Sequence, residues 1–405
     1  MKLLIAVKGY DYGGRVMYKL LLYETLKDTT IGDKWRKMYA DNRELTPFQS
    51  FEWNKVMIEN QIYEGKLCLF VFEKNNETII IAPLVVKKKP FYNEVTILGE
   101  NTHSDYLNFI YDNSLQFEDF RSFINELFKL YKIALFNFNY INEASRIQVF
   151  LKRMDNEKTC RKSICVKIPI VQEEEQYYKS LSQNTRRMIR KRLKAIEEIK
   201  DKVSFRFYFG SALDEELVEA AVKLYTERQK EKYNKSIREK YLKYLTQAVK
   251  ECPNSFMAIC NIDEQLAACQ IGLISNRNDI CTMIFAINSN YSSYAIGNML
   301  LYKVIAQLIR RNKGVVEDGL KCHYDDLTRG NELYKYHFGG KEHYNYHFSL
   351  WNRRSISIYT YAACRVKLVF KEPLYVMHRV LNIYKEHSKT LLPLRHKQLF
   401  SQKHS

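Results

Sequence analysis

The sequence predicts an α+β chain of two related halves, each a mixed, largely antiparallel sheet flanked by helices. Three observations carry this. Runs of β-branched and aromatic residues are joined by short polar turns at Lys74–Glu77, Asn261–Glu264 and Asn276–Asp279, so hairpins dominate over βαβ alternation. A strand meander followed by helix and strand occurs twice along the chain. The 405 residues, 46% of them hydrophobic, are long for one core and sufficient to fill two.

The elements follow in order. After an N-terminal extension to Thr30, a helical stretch surrounds Trp35, Pro47 fixes a turn, and Ser50 is placed to cap a helix reaching Asn60. Lys66–Glu73 and Thr78–Lys87 form a hairpin, followed by strand Glu94–Leu98, helix Phe117–Tyr131 and strand Ile133–Asn137. In the second half Ser204–Phe209 is a strand. Ser211 with Asp214 signals the start of a helix whose apolar face is Leu217, Ala221, Leu224 and Tyr225. A second helix surrounds Tyr241, Leu242, Leu245 and Val249. Strands Phe256–Cys260, Gln265–Ser275 and Ile280–Ile287, a helix Ala295–Arg311, a strand at Val315 and an aromatic strand Tyr344–Leu350 complete the set. The expected organisation is an extension over 1–30, domains over 31–165 and 166–350, and a basic helical tail over 351–405. The tail either packs on the second domain or lies on an anionic membrane surface.

A formal charge of +18 favours an anionic partner: phosphate, acidic glycan, nucleic acid or lipid surface. The 9 cysteines, an odd number set mostly in apolar segments, suit reduced buried thiols. Cys322-His323 with Asp325 and Asp326 is best read as a polar loop, and no metal site is expected. Leu3–Val7 is too short for a secretory core and no apolar run is long enough to span a bilayer, so a cytoplasmic location is expected.

Four segments carry chemistry. Gly330–Gly340 offers glycines for close backbone approach and, within one turn, the acid Glu332, the phenol Tyr334 and the cation Lys335. Asn288–Asn298 leads from a strand into an apolar helix, whose free N–H groups and Gly297 could cradle a phosphate. In Ser182–Lys194 helical spacing sets Arg186, Arg190 and Lys194 on one stripe, with Arg187 and Lys191 beside it, to grip phosphates or to face solvent. In His103–Leu107, Asp105 could orient an amine and Tyr106 could stack on a sugar, with a capping role for Asp105 as the competing view.

Taken together, Thr46–Trp53, Ser104–Tyr106, Leu181–Arg187, Tyr294–Leu301 and Gly330–Lys335 resemble the GNAT-superfamily acetyltransferases named for cellulose biosynthesis (the CelD/BcsL type), over Trp35 to Leu350. The resemblance implies tandem GNAT-like domains, related to the Fem-type transferases, with acetyl-CoA or another acyl-CoA as donor bound by the second. It places Ile296, Gly297, Asn298 and Met299 at the pantetheine-pyrophosphate arm, and Asp318, Tyr334 and Lys335 on the strand-end acid and Tyr-Lys pair. Asp318 or Glu332 is the expected base and Tyr334 the expected acid, with Lys335 on a phosphate. Gln49, Trp53, Asp105, Tyr106, Arg186 and Arg187 are the expected acceptor-binding residues. Here Tyr294-Ala295 departs from the usual small residue and proline, and Leu320–Arg329 departs after Asp318. The implied acceptor is an amino sugar on a nucleotide- or lipid-linked surface polysaccharide precursor, phosphate-bearing and reached at the inner face of the membrane. The alternatives are a Fem-like enzyme using aminoacyl-tRNA, the one reading that involves nucleic acid, and a non-catalytic anion- or glycan-binding protein.

Overall fold

Among the described residues, apolar runs from both halves are gathered into one continuous sheet of 14 strands. The computed structural model describes residues 2–3, 17–23, 26, 29–210, 213–233, 237–314 and 323–351. The chain begins β1 (Lys2–Leu3), β2 (Tyr18–Tyr23), α1 (Thr29–Asp41), a 3-10 turn at Pro47–Gln49 and α2 (Phe51–Glu59). It continues β3 (Lys66–Lys74), β4 (Glu77–Lys88), β5 (Asn93–Ile97), β6 (Ile110–Tyr111), α3 (Phe117–Leu130), β7 (Ala134–Asn142) and α4 (Arg146–Arg153). The next stretch is β8 (Glu157–Pro169), α5 (Glu174–Ser180), α6 (Gln183–Glu197), β9 (Val203–Phe209), α7 (Glu215–Tyr233) and α8 (Glu239–Glu251). Then come β10 (Ser255–Ile262), β11 (Gln265–Ile274), β12 (Ile280–Ile287), a 3-10 turn at Ser289–Tyr294, α9 (Ile296–Gly314), β13 (Tyr324–Arg329), α10 (Leu333–His337) and β14 (Lys341–Trp351).

Local chemistry explains the elements. Ser50 accepts the Trp53 N–H at 3.3 Å and so starts α2. Phe120, Phe123, Ile124 and Leu127 fall at helical spacing on α3, and all are buried under the first half of the sheet. The central strands β4, β10 and β11 are buried along most of their length, which is why they read as near-continuous apolar runs.

The expected repeat is present as topology. In the first half β2, β3, β4 and β5 run antiparallel, and a crossover through α3 brings β7 parallel to β5. In the second, β9, β10, β11 and β12 run antiparallel, and a crossover through α9 brings β13 parallel to β12. β14 zips the two halves together, pairing with β7 from Asn345↔Asn142 to Trp351↔Leu135 and with β8 from Lys341↔Lys167 to Trp351↔Glu157.

Strands β1, β2, β6, β8 and β13 are not in the sequence expectation, and two of them fall on segments it read otherwise. Tyr18–Tyr23, taken with the N-terminal extension, is a buried strand paired with β3. Tyr324–Arg329, taken as an altered loop, is β13, and the expected strand at Val315 lies outside the described residues, as does the tail over 352–405. The polar run Tyr324-Asp325-Asp326 hid β13 because burial here serves two carboxylates rather than an apolar face.

Those carboxylates belong to a polar seam between the halves. Tyr106, 1% exposed, donates its hydroxyl to Asp326, whose oxygens lie at 2.7 and 2.8 Å, and His343 Nε2 sits 2.7 Å from the same phenol oxygen. Lys167 approaches Asp326 at 3.4 Å. Burial pushes the His343 imidazole down to about 4, so it is neutral at pH 7 and Nε2–H can donate to Tyr106. Tyr106 is therefore a core link rather than a sugar-stacking ring. Tyr106→Phe removes a donor from a buried carboxylate, and should lower stability by about 1–3 kcal/mol. A shift of the urea midpoint at unchanged slope would measure it, and an unshifted midpoint would deny the seam its role.

Candidate active site

β12 and β13 stay paired for only two positions, Ile280↔Asp325 and Cys281↔Asp326, and then part. The cause lies in β13, whose register to β8 shifts between Asp326 and Arg329 with Thr328 at φ +51°. A left-handed backbone at a β-branched residue is strained and needs its surroundings to hold it. Thr328 is held by its N–H donating to Asp326 Oδ1 at 2.9 Å and its hydroxyl donating to the Thr282 carbonyl at 2.9 Å. Past this clasp the β12 edge facing β13 carries no ladder partner among the described residues.

A cavity of about 930 Å³ opens there. Thr282, Phe285 and Ile287 of β12, Asn298 of α9, Thr328 and Arg329 of β13, and Glu332 and Tyr334 of the following segment form its walls. Tyr225 and Arg228 of α7 and Arg238 and Tyr241 beside or on α8 line another side, and Thr102, His103 and Asp105 of the first half close it.

Its charges are mostly paired. The Asp105 carboxylate, buried, accepts from Arg329 Nε, and the Arg329 guanidinium carbon lies 4.4 Å from the centre of the Tyr140 ring. Burial raises the Asp105 pKa, and the neighbouring guanidinium pulls it partly back. Glu332 Oε2 lies 3.1 Å from Lys335 Nζ. Lys335 is 3% exposed and donates to the Leu327 and Arg329 carbonyls at 2.8 Å each. Tyr334 stacks on Phe285, ring centres 6.1 Å apart.

The structure thus brings Asn298, Glu332, Tyr334, Lys335 and Asp105 to one cavity and gives other expected residues other tasks. Gln49, buried, accepts from Thr46 N–H at 3.0 Å and donates to the Tyr106 carbonyl at 2.7 Å. Trp53, fully buried, donates Nε1–H to Ser104 Oγ at 2.8 Å, so both residues pin the first-half loop rather than face a ligand. Ile296 and Met299 point into the hydrophobic core, leaving only their backbone at the start of α9. Gly297 lets α9 approach β12: a Cβ there would lie 2.2 Å from Ile287 Cδ1. Lys335 holds the end of β13 instead of a phosphate. Arg186 donates to the Lys179 and Leu181 carbonyls at 2.7 Å each, closing the end of α5, while Arg187 is exposed on α6 away from the cavity walls. Asp318 lies outside the described residues.

Sequence reasoning gave no task to His103, which lines the cavity, and read Tyr225 and Tyr241 as helix-face residues. Thr328 and Arg329 were hidden with β13. A histidine between Gly99 and Asp105, after a strand end, was the available signal.

Among the described residues no cluster of three His, Cys, Asp or Glu could hold a metal, and no helix is long and apolar enough to cross a membrane. Residues 183–336 match the model of the acetyltransferase (GNAT) domain. No curated protein matches the chain. The fold is similar to the crystal structure of FemX, at 10% identity over 80% of this chain and 96% of that one, with a TM-score of 0.57. It is also similar to a conserved protein of unknown function from Bacteroides thetaiotaomicron, at 10% identity over 82% and 99%, with a TM-score of 0.51. These likenesses establish the fold. The chain thus has an α+β architecture consistent with tandem GNAT-like domains, and the domain match over 183–336 supports acyltransferase activity.

Beside the clasp, Asp325 is fully buried, with Gln270 Nε2 at 3.3 Å and Thr282 Oγ1 at 3.2 Å, and burial lifts its pKa from 3.8 to about 7. The unfolded chain ionises first as pH rises, so this group withdraws stability between pH 3.8 and about 7, by up to about 4 kcal/mol. Asp325→Asn should therefore melt higher than the parent at pH 8, with the gap shrinking steadily toward pH 4. Parallel melting curves across that range would contradict the assignment.

Proposed function

We propose that the cavity binds an acyl-coenzyme A and passes its acyl group to an amine. The parting of β12 from β13 is the observation that carries this reading, because an open strand edge in a slot can pair with the amides of a pantetheine arm as an added strand would. α9 starts at the rim with Ala295 before it, at φ +50°, and alanine has no side-chain oxygen to cap the first-turn N–H groups. Those groups and the positive helix end suit a pyrophosphate. Asn298, on the first turn and in the cavity wall, adds a polar side chain.

Amide formation requires loss of a proton from the ammonium, stabilisation of the oxyanion and protonation of the leaving thiolate. Tyr334, held by its stack on Phe285, is positioned to give the thiolate its proton. Glu332 contributes negative potential near an incoming ammonium, and Asp318 stays a candidate base on the sequence resemblance alone.

For the acceptor we infer an amino sugar on a nucleotide- or lipid-linked surface polysaccharide precursor. The CelD/BcsL-like motifs support it, and Arg228, Arg238 and the charge of +18 suit a diphosphate-bearing molecule. Such a precursor would be met in the cytoplasm, at the inner face of the membrane if lipid-linked.

Calorimetric titration with acetyl-CoA and with tRNA separates the readings. Binding of acetyl-CoA alone is expected; tRNA alone would favour an aminoacyl-tRNA-dependent enzyme, and neither would favour a non-catalytic binding protein. Tyr334→Phe should lower kcat about 100-fold with little change in KM for acetyl-CoA. In Gly297→Ala the new methyl should drive the tip of Ile287 into the cavity, weakening acetyl-CoA roughly tenfold while the fold melts near its parent temperature. Restored affinity in Gly297→Ala/Ile287→Val would confirm the cause, and undiminished affinity in the single variant would place the thioester elsewhere.

A further inference from the structure

We propose that His103, Tyr225 and Tyr241 form a proton relay that takes the proton from the acceptor ammonium, an inference that rests on the acyltransferase reading. His103 Nδ1 lies 2.5 Å from the Tyr241 hydroxyl and Nε2 lies 3.0 Å from the Tyr225 hydroxyl. All three side chains line the cavity that also holds Tyr334. A neutral imidazole has one N–H and one lone pair, so a ring bonded at both nitrogens to phenols passes protons without turning.

Among the described lining residues both carboxylates are already paired with cations, Asp105 with Arg329 and Glu332 with Lys335. An imidazole is the lining group whose ordinary pKa lies closest to neutrality. A purely architectural role would be served by one hydrogen bond to one helix. Here the ring joins α7 to α8 from a loop of the other half, edge-on to Tyr225 at 5.3 Å and tilted over Tyr241 at 5.5 Å.

The ammonium proton moves to the Tyr225 oxygen as that phenol's own proton moves to His103 Nε2, and Nδ1–H is held by Tyr241. The amine lone pair forms the C–N bond to the thioester carbon, and the C–S bond breaks as the oxyanion collapses. The thiolate takes a proton from Tyr334, whose loss is made good by the second amine proton. The imidazolium then releases its proton to solvent.

Amines of different basicity test the relay. Ethylamine arrives as an ammonium at pH 7, whereas 2,2,2-trifluoroethylamine arrives neutral and needs no base before attack. With acetyl-CoA as donor and free thiol as readout, His103→Gln and Tyr225→Phe should lose about 100-fold in kcat/KM with ethylamine and under about threefold with trifluoroethylamine. Acetyl-CoA binding, measured by calorimetry, should match the parent in both variants. Equal losses with the two amines, or none, would overturn the relay while leaving acyl transfer intact. A parent chain that binds acetyl-CoA yet acetylates neither amine would also overturn it, since a base in this cavity acts on any small amine admitted. Failure of the parent to bind acetyl-CoA would instead remove the acyltransferase reading beneath it.

Discussion

The parting of β12 from β13 is the constraint on which the rest of the site depends. A parallel pair that continued to the end of β12 would bury the edges of both strands and leave no space between them. The pair is stopped by one residue, Thr328, held in a backbone state that its branched side chain disfavours. Two hydrogen bonds, to Asp326 and to Thr282, hold it there. Asp326 is in turn fixed by Tyr106 of the first half. The geometry of the slot in one half is thus set partly by a phenol from the other.

That dependence makes the first half part of the site. Its loop over 99–108 contributes Thr102, His103 and Asp105 to the cavity, and it is pinned from behind by Trp53 on Ser104 and by Gln49 on the Tyr106 carbonyl. Asn345 of β14 donates to the Asp105 carbonyl at 2.8 Å, so the strand that zips the halves together also fixes the loop. The buried residues Gln49 and Trp53 act on the cavity at one remove, through the position of a loop they never share with a ligand.

Much of this was legible in the sequence, and the failures have a common cause. Hairpins, helix starts and the apolar strands of both halves follow from turn residues and periodicity, as with Ser50 before α2 and the run Ile280–Ile287. The Tyr334 and Asn298 segments, each singled out in the sequence as carrying chemistry, line one cavity. β13 could not be read, because its inward residues Asp325, Asp326 and Thr328 are polar and pay for burial with specific partners that only the tertiary structure supplies. The same reason misled the reading of Tyr106, Lys335 and Arg186. Polar side chains in a motif look like ligands for substrate, and here they bind the protein's own carboxylate or carbonyls.

The internal repeat shows how each half uses the space beyond its parallel strand pair. In the first half β5 and β7 pair in parallel from Asn93↔Ala134 to Thr96↔Asn137, and β7 carries Tyr140 at φ +60°, the counterpart of Thr328 at φ +51°. Both halves therefore bend the strand after the parallel pair. In the second, the space beyond the pair stays open to Asn298 and Tyr334. In the first it is filled by the chain itself, with Leu107 N–H donating to the Tyr140 carbonyl at 3.0 Å and Asn139 donating to Glu100 at 2.5 Å. A slot satisfied by its own backbone has no edge left to offer a ligand. The filling segment continues directly into the wall of the other cavity, so closing one site and completing the other are consequences of the same loop.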